Sequence, residues 1–196
     1  QPNEADLIPL EPGEPQTKMV PSITRDGKPI KLMKDAMPGP PESYTAYGLN
    51  WANASNTPFR EYKHWVHEGG ISSPLIVHWP KGIQAKGELR TVPTHLIDIM
   101  ATCVEVGQGG YPTTLNGQVI QPMEGKSLVS AFSTNELERE ALYWEHEGNR
   151  AVRMGKWKLV SKASKKHSFL WDQTEKLGPA DWELFDKEKD RTELHN

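Results

Sequence analysis

The sequence contains a single cysteine, Cys103, in 196 residues. One thiol can form neither an internal disulfide nor a metal site built from cysteines, so both are excluded. Cys103 lies in an apolar helical pattern, where a free thiol behaves as a small hydrophobic side chain. We therefore expect Cys103 to be buried and unreactive.

Long apolar runs are also absent, and neither sign of charge dominates. No stretch approaches the roughly 20 apolar residues of a membrane-spanning helix, so no membrane span is predicted. The chain begins without an initiator methionine and without the basic and apolar regions of a signal peptide. We therefore expect it to be cut from a longer protein or processed. The formal net charge of -3 predicts no nucleic-acid partner.

Proline is concentrated at the start of the chain, where residues 1–41 hold nine of the sixteen prolines. Proline donates no backbone hydrogen bond and disfavours helix in the residue before it. Residues 1–43 are therefore predicted to form an extended arm or surface loop. One turn is expected at Asp26 and Gly27.

From residue 44 onward the pattern is that of a packed core, since all seven tryptophans lie at position 51 or later. The apolar run 74–80, bracketed by prolines, predicts a strand. Thr94 is the predicted N-cap of a helix, and residues 125–132 suggest a shorter helix. Apolar residues at helical spacing would form the buried face of the first helix: Leu96, Ile99, Met100, Cys103 and Val104.

The last third of the chain contains four short apolar or alternating runs, at 141–145, 150–153, 156–160 and 182–185. Turn residues separate the first three runs, at 148–149 and 154–155. Four short strands in series predict an antiparallel sheet.

Chemistry-bearing residues are densest between positions 60 and 70. Lys63 is a compact charge that suits a tetrahedral oxyanion, and Arg60 could contact such a group with two nitrogens. The pair Gly69-Gly70 would let backbone approach a ligand closely or take a positive φ. The residue types alone leave a second interpretation open, in which Arg60 and Glu68 pair with neighbouring side chains and Lys63 is solvated.

The order and spacing of several motifs resemble the second half of bacterial arylsulfatases, members of the sulfatase family. The resemblance rests on Arg60, Lys63, the Glu68-Gly69-Gly70 triplet and the strand-like run 74–80. Four later segments follow in the family's order: 144–153, 155–160, 182–186 and the closing 190–196. The resemblance extends from about residue 44 to residue 196.

This resemblance implies an α/β fold, the carboxy-terminal portion of an alkaline phosphatase-like sulfatase fold, with a small antiparallel-sheet α+β subdomain. Residues 1–43 would be the proline-rich arm. Residues 44–138 would be the end of the large α/β domain, and residues 139–196 the small carboxy-terminal subdomain.

The resemblance also implies that the parent protein hydrolyses sulfate esters to an alcohol or phenol plus sulfate. Lys63 would be catalytic and would bind the substrate sulfate. His67 would line the pocket or only hydrogen-bond the turn. His146 would help bind the substrate and shape leaving-group specificity, or belong to a plain surface turn.

Part of the family's chemistry is not in this sequence. The nucleophile is a formylglycine made from Cys or Ser in a C/S-x-P-x-R motif, which Cys103 does not fit because Val104 and Glu105 follow it. The family's divalent cation, calcium by resemblance, takes its carboxylates from the amino-terminal half, and no residue cluster here replaces them. The chain alone is therefore predicted to be inactive.

The expected partners are a sulfate ester substrate and the missing amino-terminal half, which would cover an exposed hydrophobic edge. Related bacterial enzymes imply a periplasmic or secreted location. Two other readings remain open: a phosphatase or phosphodiesterase of the same superfamily, and a non-catalytic module that binds a partner or glycan.

Overall fold

A computed structural model describes residues 23–32, 40–44, 48–162 and 181–195. Four helices lie in these ranges: α1 (Gly48–Ser55), α2 (Glu68–Ile71), α3 (Asp98–Val106) and α4 (Ala131–Thr134). The short strands β1 (Lys31–Leu32) and β2 (Ser43–Tyr44) pair in parallel, and β3 (Thr114–Leu115) and β4 (Gln118–Val119) pair antiparallel. The main sheet contains β5 (Leu142–His146), β6 (Asn149–Met154), β7 (Trp157–Lys162) and β8 (Asp181–Asp186).

The four strands lie in chain order, β5-β6-β7-β8, and the pairs β6–β7 and β7–β8 are antiparallel. This confirms the predicted antiparallel sheet. The first hairpin turn falls at Glu147 and Gly148, one residue earlier than predicted, and both residues have positive φ, 52° and 79°. Two central residues with positive φ define a type I′ turn, whose twist matches that of paired strands.

One face of this sheet is covered by the segment 60–71. Val66 packs with Ala151, Val160 and Phe185, one residue from each of β6, β7 and β8, to form a small buried core. The register places Ala151 opposite Val160, so both side chains point to the same face. Ile71 and Trp144 pack against the edge of this cluster.

Contacts divide the chain into two compact units. The first contains the described residues of Gln1–Ser73 and Tyr143–Asn196, and the second is Pro74–Leu142. The predicted domain boundaries at 43 and 138 stay a prediction, as does the large α/β domain. No helix in the described ranges combines the length and apolar character that a membrane crossing requires.

Within the second unit, Asp98 is fully buried at the start of α3. Its carboxylate accepts hydrogen bonds from the backbone N–H of His95 at 2.7 Å and of Lys126 at 2.9 Å. Arg139 Nη2 lies 2.5 Å from the same carboxylate. These contacts turn the Asp98 face of the helix inward.

The predicted details of this unit are partly wrong. Helix α3 begins at Asp98 with Ile97 at its N-cap, so Thr94 does not cap it. Of the five apolar residues predicted to be buried, Leu96, Ile99, Met100 and Cys103 are exposed and Val104 is half-buried, because Asp98 and Ala101 point inward instead. The shorter helix covers Ala131–Thr134 rather than 125–132.

The predicted strand at 74–80 is also wrong. Leu75, Ile76 and Val77 are 51%, 90% and 44% exposed, and none of them belongs to a strand. A strand exists only through a ladder of hydrogen bonds to a neighbour, and no strand in the described ranges pairs with this run. The turn predicted at Asp26 and Gly27 is confirmed, with Gly27 at a φ of 82°.

Candidate functional site

The segment 56–71 is folded back tightly on itself. The side-chain amide of Asn56 donates to the carbonyl of Glu61 at 3.0 Å, and the N–H of Gly69 donates to the carbonyl of Arg60 at 3.0 Å. A Cβ on Gly69 would lie 2.1 Å from the Glu61 oxygen, and one on Gly70 would lie 1.9 Å from the carbonyl oxygen of residue 65. Neither glycine has a positive φ. The pair is needed because a side chain at either position would clash with the backbone of the same segment.

Arg60 and His67 both bind Glu183, which projects from β8 on the covered face of the sheet. Arg60 Nη2 lies 2.7 and 2.5 Å from the two carboxylate oxygens, and His67 Nε2 lies 2.9 Å from Oε2. Burial pulls the pKa of Glu183 upward, but the hydrogen bonds from His67 and Arg60 outweigh it and hold the pKa below its usual range. Glu183 therefore stays ionised and joins the two ends of the segment 60–67.

His67 is fully buried, and this burial lowers its pKa, which the hydrogen bond to Glu183 only partly offsets. At neutral pH the ring is therefore uncharged and donates its Nε2 proton to the carboxylate. The partner of this contact is a residue of strand β8 and not of the turn, so the predicted bond to the turn stays a prediction as well. A substrate-binding role for His67 stays a prediction.

Four charged side chains meet behind this segment in a buried cluster, the Lys158 quartet. Lys158 Nζ lies 3.0 Å from Glu68 Oε1 and 2.7 Å from Glu193 Oε1. Lys187 Nζ lies 3.6 and 3.2 Å from the same two oxygens. All four residues are buried, with Lys158 and Glu193 fully so. Two ammonium groups and two carboxylates cancel in charge, as buried ions must to be tolerated.

The quartet fixes Glu68, the first residue of the motif that carries the resemblance. Burial pulls the pKa of Glu68 upward, but Lys158 and Lys187 outweigh it and leave the pKa below its usual range. The backbone N–H of Glu68 also donates to Glu193 Oε2 at 2.9 Å. Glu68 and Glu193, 125 positions apart in the chain, thus meet through Lys158 of β7 and Lys187, which directly follows β8.

The closing segment reaches the quartet because Asp190 holds its turn. Partial burial acts to raise the pKa of Asp190, but hydrogen bonds from the backbone of His195 and from Thr192 outweigh it and lower the pKa to about 2. Glu193 follows with a φ of 61°. Of the predicted closing segment, Asn196 lies outside the described residues.

These contacts support the second reading of the 60–70 region for two of its residues. Arg60 and Glu68 pair with side chains of the same unit rather than facing a ligand. Lys63 is half-buried and lies between them in the chain. The structure thus fixes the backbone on both sides of Lys63, while the role of Lys63 itself stays a prediction.

His146, the third predicted site residue, is exposed at the end of β5. The structure brings it close to His64, with ring centroids 6.0 Å apart and planes 20° from parallel. Glu147 joins them, with Oε2 2.8 Å from His64 Nδ1 and Oε1 3.8 Å from His146 Nε2. The buried Asn149 donates from its side-chain amide to the carbonyls of His64 and His146, at 3.0 Å each.

Sequence reasoning missed the residues of the sheet that hold this segment. Every strand from β6 to β8 contributes a polar side chain to it: Asn149, Lys158, Lys162 and Glu183. A signal was present, because Lys158 and Val160 share one strand parity and therefore one face. The alternation of side chains along β7 could not show which face of the sheet the segment 60–71 covers.

The tied segment and the closing strands belong to one matched region. Residues 60–196 match the family model described as N-sulphoglucosamine sulphohydrolase, C-terminal. This match covers more than half of the chain, and the chain therefore belongs to this sulfatase family. The resemblance to a sulfatase carboxy-terminal part is confirmed.

Three curated relatives agree with this assignment. An uncharacterised sulfatase of Schizosaccharomyces pombe is 28% identical over 178 residues, covering 86% of this chain and 29% of the relative. A sulfatase of Formosa agariphila is 30% identical over 113 residues, or 56% and 20% of the two chains. An arylsulfatase of Klebsiella aerogenes is 33% identical over 92 residues, or 46% and 19%. The chain thus spans less than a third of the length of these relatives.

Proposed function

We propose that this chain is the carboxy-terminal part of a larger sulfatase and that the complete protein hydrolyses sulfate esters. The family match and the three relatives support the reaction class. Aryl sulfate is the proposed model substrate, because one relative is named an arylsulfatase.

The observation that carries the proposal is the anchoring of the backbone around Lys63. Arg60 is tied to Glu183 on one side, and Glu68 is tied to the Lys158 quartet on the other. An ammonium group on a fixed backbone can favour the charge that develops on sulfuryl oxygens without reorganising during the reaction. Lys63 is therefore the proposed sulfate contact, with His146 as a further substrate contact.

Calcium and formylglycine stay proposals for the complete protein, to be supplied by residues outside this chain. Calcium takes six to eight oxygen ligands. The one group of three metal-binding side chains found in the described ranges is His64, His146 and Glu147, and its two imidazoles do not suit calcium. The residues described here contribute binding and positioning.

The test is an assay of the complete protein, co-expressed with a formylglycine-generating enzyme, on 4-nitrophenyl sulfate and 4-nitrophenyl phosphate. Lys63→Ala should lower kcat for the sulfate by about 10²–10³-fold, the usual cost of losing one group that stabilises transition-state charge. Lys81→Ala is the matched control, since Lys81 is exposed in the other unit.

Three outcomes would contradict the proposal. A preference for the phosphate ester would favour the phosphatase or phosphodiesterase reading. An inactive protein that binds a sulfated glycan would favour the non-catalytic module. An active protein unaffected by Lys63→Ala would leave the reaction class standing and remove the role of Lys63. A periplasmic or secreted location stays a prediction that cell fractionation can check.

A further inference from the structure

His64, His146 and Glu147 place three metal-binding groups at one point of the sheet's edge. One ligand atom from each residue lies within 4.8 Å of the other two. The side chains of His64, His146 and Glu147 are 16%, 57% and 27% exposed, respectively. An ion there would be held by protein on one side and reached by solvent on the other.

The donor set has the chemistry of a zinc site. Two imidazoles and one carboxylate form the three-ligand set of several catalytic zinc centres, which leave a fourth position open. Tetrahedral zinc with bonds of about 2.0–2.2 Å needs ligand atoms roughly 3.3–3.6 Å apart. The observed separations are 2.8 Å from His64 Nδ1 to Glu147 Oε2 and 3.8 Å from His146 Nε2 to Glu147 Oε1, each within about 0.8 Å of that spacing.

The backbone holds these side chains in place at an energetic cost. His64 has a φ of 89° and Glu147 a φ of 52°, a region that costs a residue with a side chain of order 1–3 kcal/mol. Asparagine and glycine are the usual residues at such a turn position. A glutamate there is explained if its carboxylate is needed at this point.

Asn149 adds a second, independent constraint. Its buried amide spans the two loops by donating to the carbonyls of His64 and His146. The backbones of the two histidines are therefore held together independently of the hydrogen bond between His64 and Glu147. A positioning residue of this kind is typical of sites that must be formed before the ligand arrives.

A plain hydrogen bond between His64 and Glu147 is the simpler interpretation, and it accounts for one imidazole only. It leaves unexplained why a second imidazole is stacked on the first beside the same carboxylate. We propose that His64, His146 and Glu147 bind one divalent transition-metal ion, with zinc favoured by the ligand types.

The ligand types of this site differ from those that calcium takes, and the metal proposal does not depend on sulfate ester hydrolysis. Imidazole nitrogen prefers zinc, copper and nickel over calcium and magnesium. An ion held here would bind the imidazole of His146, which is also the proposed further substrate contact. The substrate would then meet the ion at its open position instead of the imidazole.

The test uses the untagged protein, freed of metal and titrated with Zn²⁺ by calorimetry in the presence of excess Ca²⁺. Co²⁺ serves as the spectroscopic probe, because it takes the same ligands and absorbs visible light strongly when four-coordinate. The expected result is one saturable Zn²⁺ site that calcium does not block and that Co²⁺ also fills. Absence of saturable binding would overturn the proposal.

Two variants locate the site. Glu147→Asn removes the carboxylate while supplying a residue that favours positive φ, so the turn should be kept. His146→Ala removes an exposed side chain. Loss of a residue that only supports a metal ligand weakens metal binding by roughly 10–100-fold. Each of the two variants removes a ligand itself and should therefore weaken Zn²⁺ binding by more than that. His78→Ala, at an exposed histidine of the other unit, should change nothing. Unaltered binding in either site variant would refute the assignment.

Discussion

Replacing Lys158 with methionine removes one of the two ammonium groups of the Lys158 quartet and keeps most of the side-chain volume. The lost contacts are the two shortest of the four, 2.7 Å to Glu193 and 3.0 Å to Glu68. The two carboxylates would then share Lys187, at 3.2 and 3.6 Å. One buried carboxylate would lose its ammonium partner, and only the guanidinium of Arg153, which attracts both Glu68 and Glu193, would offset its charge.

The expected cost follows from that charge. Breaking a buried ion pair by removing one partner destabilises proteins by about 3–5 kcal/mol. Lys158→Met should fall in this range, because Glu193 is fully buried and Glu68 nearly so. The adjacent Lys156, 40% exposed and 3.3 Å from Asp186, gives the matched control. Lys156→Met should cost about 1 kcal/mol or less, as exposed pairs do.

A charge-balanced double variant tests the reasoning further. Adding Glu193→Gln to Lys158→Met removes the excess charge and keeps an oxygen to accept the N–H of Glu68. The double variant should therefore be more stable than Lys158→Met alone. Urea unfolding at neutral pH, with the slopes compared between variants, measures each difference. A single variant no worse than Lys156→Met, or a double variant less stable than the single, would refute the account.

Two further predictions concern the same unit. Gly70→Ala should destabilise the protein by about 1–3 kcal/mol, because the added Cβ would lie 1.9 Å from a carbonyl oxygen. Gly110→Ala is the control, since a Cβ at Gly110 meets no atom within 4 Å. The control variant should be nearly neutral in the same urea assay. Acid should loosen the closing segment, because Glu68 and Asp190 both have lowered pKa values in the folded state. Each carboxylate contributes its full stabilisation above its unfolded-state pKa and loses it as the pH falls through its folded-state pKa. For Asp190 this loss occurs as the pH falls from 3.8 towards about 2. Hydrogen exchange of residues 190–195 against pH would show this, and protection unchanged down to pH 2 would contradict it.

Local patterns predicted the sheet well and the second unit poorly. Alternation and turn residues located β5 to β8, because a hairpin is specified by residues close in the chain. The run 74–80 had the composition of a strand and no partner in the described ranges. Composition shows which secondary structures a segment can adopt, whereas a strand also requires a neighbouring strand to pair with.

The helix α3 shows the same limit. Its apolar spacing was visible in the sequence, yet the face that turned inward was the one that carries Asp98. Three hydrogen-bonding partners of that carboxylate decided the orientation, and two of them lie 28 and 41 positions away. No periodicity within the helix contains that information.

Around Lys63, the sequence by itself determined the family, because the spacing of Arg60, Lys63 and the Glu68-Gly69-Gly70 triplet is a property of one short segment. Only the tertiary structure decided what most of these residues do. Arg60 and Glu68 meet carboxylates and ammonium groups more than 85 positions away, and His64 meets a carboxylate from a hairpin turn. Partial or full burial strengthens those pairings, and burial is a property of the folded chain alone.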